Sequence, residues 1–155
     1  MITALLILHL LLALALLGAI THQALSTAKP IPVARRSFVD RYRSVGAAAY
    51  ANAVVVLFIV TAIGGALLYP PYRLDVRPTL EDLDLRAANG AFEIKEHLAA
   101  IGLGLLPAYW FFWRSSSLVP QGAVARRYLT WILAFVVWWN FLVGHILNNI
   151  RGLFQ

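Results

Sequence analysis

The sequence predicts an all-α integral membrane protein, a four-transmembrane-helix bundle with both termini on the outer side. Three observations carry that expectation. Of the 155 residues 61% are hydrophobic, and they gather into long runs instead of alternating with polar residues as a soluble core requires. Only 13% are charged, against about 25% in ordinary soluble domains. The basic residues flank the apolar runs, where they act as topology signals.

Four segments supply the roughly 20 largely apolar residues that a spanning helix needs: 2–21, 47–69, 92–113 and 128–147, all within one domain, 1–155. The first lacks a basic leader and is longer than a signal-peptide core, so it reads as a retained helix. The second is expected to end at Tyr69-Pro70-Pro71-Tyr72, because neither proline can donate a helical hydrogen bond. The third opens with Glu93, Lys95, Glu96 and His97 at the interface before its uninterrupted apolar part begins at Leu98, and Pro107 is expected to bend it. Trp110, Trp113, Tyr128 and Trp131 mark one interface, Tyr69 and Tyr72 the other.

Charge sets the orientation. The first loop carries Lys29, Arg35, Arg36, Arg41 and Arg43 against Asp40 alone, and the third carries Arg114, Arg126 and Arg127 with no acid, so both are expected in the cytoplasm. Six of the seven acids, Asp75, Glu81, Asp82, Asp84, Glu93 and Glu96, fall in or beside the outer loop 70–91, where a short interfacial helix is expected at 79–86. The expected setting is a bacterial inner membrane. Topology and anionic lipid account for the net charge of +6, leaving no case for nucleic acid.

The chain has no cysteine, which excludes disulfides, thiolate metal sites and thioether attachment of haem. No nucleotide fold, hydrolase triad or phosphate loop is visible, so the chain is not expected to be an enzyme on its own.

Ionisable residues inside a membrane are costly and become functional candidates. His9 falls about a third of the way in from the outer surface, and His97 and His145 about one turn from it. Three helices thus bring histidines to one leaflet. Gly64 and Gly65 lie at the same depth, and Gly104 follows His97 by two turns on nearly the same face, which leaves room for a planar macrocycle. The expected cofactor-binding set is therefore His97, His145, His9, Gly64, Gly65 and Gly104, with His97 and His145 the preferred axial pair for one haem b. His9 and His22 are thirteen positions apart, roughly 140° in azimuth, which does not suit two stacked haems. His22, alone at the cytoplasmic end of the first helix, reads as a snorkelling or hydrogen-bonding residue.

Glu93, Glu96 and His97 form E-x-x-E-H and, with His145, make a candidate metal set. The local alternative is an acidic first turn favoured by the helix dipole, with Lys95 as counter-charge. Asn140, near mid-membrane, is expected to bond another helix. The functional alternative is a quinone head-group contact, its ring framed by His97 and His145 with Trp138.

These residues point first to a small electron-transfer protein of cytochrome b type, holding one haem near the outer face and exchanging electrons with a quinone. Its acidic outer loop would dock a redox partner or other membrane subunits. The second reading is a non-catalytic accessory or assembly subunit of a larger respiratory-type complex, and the third a metal-handling membrane protein. In general look the chain resembles b-type cytochromes and respiratory accessory proteins, without a motif that aligns it to one family.

Overall fold

The computed structural model describes residues 2–28, 37–43, 46–114 and 120–152. Lys29, Arg35 and Arg36 of the first basic loop lie outside them. The elements are α1 (Ile2–Ser26), a short α2 (Phe38–Arg43), α3 (Ala47–Pro71), a π-helical turn (Tyr72–Val76), α4 (Arg77–Asp82), α5 (Arg86–Arg114) and α6 (Pro120–Gly152). No strand occurs among the described residues.

Among the described residues three stretches are long and apolar enough to cross a membrane: Ile2–Ser26, Ala47–Asp82 and Gly122–Ile150. At 29 residues α5 has the length but not the apolarity. Glu93, Lys95, Glu96 and His97 crowd its first half, and Pro107, Tyr109, Trp110 and Trp113 dilute its aliphatic second half.

Helix α1 packs on α3 and α6, and α5 packs on the same two, so α1 and α5 occupy opposite corners. Neighbours run antiparallel. Between α1 and α3, His22 stacks on Tyr50 while His9 lies against Gly64, one number falling as the other rises. Between α3 and α5, Asn52 meets Trp110, Phe58 meets Gly102 and Tyr72 meets Asn89. The start of α1 and the end of α6 therefore share one end of the molecule, where Thr3 and Asn148 line the same cavity. We call this the termini end and its opposite the basic end.

Lipid offers little hydrophobic drive for helices to associate, so close packing and hydrogen bonds must hold them together. Both concentrate toward the basic end. Ile20, Val54, Tyr109 and Leu133, one from each long helix, are fully buried there. Trp113 Nε1 donates to Thr130 Oγ1 at 3.0 Å, Trp110 Nε1 to Asn52 Oδ1 at 2.9 Å, and Gln23 Nε2 to the Ala47 carbonyl at 2.8 Å. Trp113 thus belongs to the core rather than to an interfacial belt. Gly102 marks the tightest approach, since a methyl there would sit 2.5 Å from Phe58 Cζ and 3.1 Å from Val136. Large exposed side chains such as Leu11, Val56, Ile63, Leu67 and Phe135 give the outer faces an apolar surface suited to lipid.

The segment 70–91 departs from the expected loop. Pro70 and Pro71 do not stop α3 but lie within it, because the φ of −56° at Pro71 is helical and the cost of proline in a helix is the missing donor. The turn that follows the prolines is a widened one. The Arg77 N–H bonds the Tyr72 carbonyl, a five-residue register. Helix continues to Asp82, and only Leu83–Leu85 turns, with Asp84 at φ 54°. The short helix expected at 79–86 is in fact α4 at Arg77–Asp82, and α5 begins at Arg86 rather than 92. Tyr72 fixes that early start by stacking on Phe92 at 3.6 Å and donating to Asn89 Oδ1 at 3.0 Å.

Candidate functional site

Above the packed core, toward the termini end, the four long helices diverge around a cavity of about 770 Å³. Its walls are mostly aliphatic and small, among them Leu6, Leu10, Ala62, Ala66, Ala99 and Ala100. Leu16, Phe58, Val136 and Val137 form its floor, the upper surface of the core. The polar groups are few: His9 and Thr61, the adjacent Lys95 and Glu96, and Asn140, His145 and Asn148 with Thr3. A volume of this size with a small number of polar groups on an apolar wall is the form of a site for a small ligand or cofactor.

His9 is held by the absence of side chains opposite it. A methyl on Gly64 would come within 3.0 Å of its Nδ1, and one on Gly65 within 3.5 Å of its Cε1. The glycine pair is a seat for the imidazole. Nδ1 is buried with no hydrogen-bond partner. The Thr61 hydroxyl is buried and unpartnered too. Two unsatisfied polar atoms beside one cavity are costly unless something polar meets them.

His145 lines the same cavity from α6. It stacks parallel to Phe141 with centroids 6.4 Å apart and accepts a long bond, 3.3 Å, from Asn149 Nδ2. The histidines that line this cavity are therefore His9 and His145. His97 is placed elsewhere. It faces a neighbouring pocket of about 490 Å³ with Tyr69, Tyr72, Arg77, Phe92 and Glu93, and its Nδ1 donates to the Glu93 carbonyl at 2.7 Å. His97 does not line the cavity that His145 borders, because one helical position separates the cavity-facing Glu96 from His97 and turns the latter about 100° away.

Gly104, expected to clear space for a ring, would place an added methyl with nothing within 4 Å of it, and it does not line the cavity. The side-chain-free contact on α5 is Gly102 instead. Asn140 does not bond another helix; its Nδ2 donates to the Val136 carbonyl of its own, while the residue lines the cavity. Trp138 does not line the cavity; its indole donates to Thr21 Oγ1 at 3.0 Å and ties α6 to α1.

Among the described residues no three His, Asp or Glu side chains converge. Glu93 faces Arg77 at 3.5 Å, Glu96 pairs with Lys95 at 2.6 Å, and His97 is turned to its own backbone. The start of α5 at Arg86 also puts Glu93 two turns into the helix, beyond the reach of its N-terminal dipole. Other acids are neutralised locally: Glu81 by Arg77 at 2.7 Å and Asp84 by Arg86 at 2.8 Å.

His22 is 1% exposed. It is sandwiched between Tyr50, 4.3 Å away, and the edge of Tyr42, and its Nε2 lies 3.0 Å from the Tyr42 carbonyl. This histidine clamps α2 to α1 and α3.

Comparison with protein-family models, curated proteins and solved structures gives no match.

Proposed function

We propose that this chain is a membrane electron-transfer protein that holds one haem b in the cavity at its termini end, with His9 and His145 as the two axial ligands. The single observation that supports the reading is that imidazoles from two neighbouring helices, α1 and α6, line one 770 Å³ apolar cavity. The seat of Gly64 and Gly65 behind His9, and its unpartnered Nδ1, suit an imidazole that a second partner holds from the cavity side. The alanines and glycines of the wall suit a flat ring.

In this reading all four long helices span the membrane as a bundle. α5 is the least apolar because its interior faces carry the polar residues of the site. The basic loops lie in the cytoplasm of a bacterial cell and the termini end faces outward. A haem with both axial positions taken by imidazole supplies one-electron transfer and no open coordination position. The residues of the chain seat the ligands, and the packed core below the cavity excludes water from the basic end. A quinone is the second candidate occupant, favoured by the unpartnered Thr61 hydroxyl and by Asn140 and Asn148 on the cavity wall.

Purified full-length protein, produced with ample haem precursor, should carry a Soret band and a sharp α band on reduction. A colourless protein that takes up no added haemin would remove the haem reading.

A further inference from the structure

Lys95 and Glu96 are the only charged side chains on the cavity wall among the described residues. They lie within Coulombic reach of His9. The Lys95 side chain is only 17% exposed. Its ammonium sits 4.9 Å over the Phe92 ring and 2.6 Å from Glu96 Oε1, so it is largely withdrawn from water with one anionic partner.

That partnership is an improvised one. Consecutive residues on a helix point about 100° apart and do not face each other. The pair joins adjacent residues of one helix and is no part of a repeating helical contact. An ammonium at the lip of an apolar cavity needs an anion. Exchanging Glu96, whose side chain is 38% exposed and also borders the outer pocket, for an anion inside the cavity would conserve that pairing. Glu96 would return to water, where a carboxylate is well solvated.

We infer that Lys95 is a ligand-recognition residue, and that the occupant of the cavity is an amphiphile whose apolar ring lies between the helices and whose carboxylate takes the place of Glu96 on Lys95. The inference rests on the proposed occupant only for the identity of the ring. It specifies an acidic ring compound and counts against a neutral one. No covalent step is involved: one ion pair opens and another closes, and the charge at the lip is unchanged.

The test uses full-length protein in nanodiscs with metal-free protoporphyrin IX and its dimethyl ester, followed by porphyrin fluorescence. Neither probe holds iron, so histidine ligation plays no part. The diacid should bind about tenfold more tightly than the diester, the size of one charge-assisted contact at a partly exposed site. Lys95→Met should abolish the difference and Lys95→Arg preserve it, while Glu96→Gln, which removes the competing anion, should strengthen diacid binding. Equal affinities in the wild-type protein, an unchanged preference in Lys95→Met, or failure of the diacid to bind would each overturn the inference. Haemin that binds without a two-imidazole spectrum, beside an intact acid preference, would remove the axial-ligand reading and leave Lys95 in its role.

Discussion

The His9 imidazole rests on the backbone of Gly64, with its Nδ1 3.0 Å from where a methyl group would stand. A contact this close couples the helix α3 backbone to the orientation of a histidine on α1. Gly64→Ala should therefore separate two properties. The alanine favours helix by up to ~1 kcal/mol, so the ligand-free protein should unfold no earlier, while the displaced imidazole should lose haem several-fold faster. Thermal unfolding of the haem-free protein and haem transfer to an acceptor protein measure the two effects. A variant with wild-type haem retention would show that the seat is incidental.

Single histidine substitutions should sort the sites. His9→Ala and His145→Ala are each expected to abolish the low-spin haem spectrum, and His97→Ala, which borders a different pocket, to leave it in place. Absorption spectra of the three purified variants decide this, and loss of the spectrum in His97→Ala alone would reverse the assignment.

Two glycines of α5, two positions apart, should behave oppositely. Gly102→Ala drives a methyl into Phe58 and Val136 and is expected to destabilise the protein by about 1–3 kcal/mol, the usual cost of overpacking. Gly104→Ala meets open space and should be neutral, or stabilising by up to ~1 kcal/mol. Unfolding midpoints in one detergent give the comparison, and equal shifts would contradict the packing described.

Orientation is measurable by fusion. Alkaline phosphatase joined after Gln155 should be active and the same enzyme joined near Val39 inactive, since the positive-inside rule places the basic end in the cytoplasm. The opposite activities would invert the molecule and move the cavity to the inner leaflet.

The acidic stretch offers a weaker field than its composition suggests, because Glu81, Asp84, Glu93 and Glu96 all have basic neighbours. Neutralising Glu81, Asp82 and Asp84 together should leave membrane insertion normal. If a basic redox partner is steered there, its association should slow and lose part of its salt dependence. Identical association kinetics at low and high ionic strength would assign those acids to topology alone.

The long helices were legible because apolar runs of membrane length have few alternative explanations. The burial of His22 between Tyr42 and Tyr50 was not legible, because its place at the end of the apolar stretch suggested a residue reaching for the interface. The helical path through Pro70 and Pro71 was not legible either, because proline reads as a terminator and the widened turn that follows leaves no mark in composition. Depth along each helix was readable from rise per residue, which brought His9, His97 and His145 to similar levels. Azimuth was not, and it separates His97 from His145 in the structure. The importance of Gly102 over Gly104 was hidden for the same reason: both are small, and only the neighbour across the groove distinguishes them.

The cavity also has a mechanical consequence. The 770 Å³ cavity lies at the termini end, while the basic end is filled by Ile20, Val54, Tyr109 and Leu133. Pressure acts on proteins through the internal void volume that unfolding eliminates, so the two ends of this molecule differ in compressibility. Hydrostatic compression should loosen the helices around His9 and His145 well before it disturbs the indole bond of Trp113, and an occupant that fills the cavity should erase that difference.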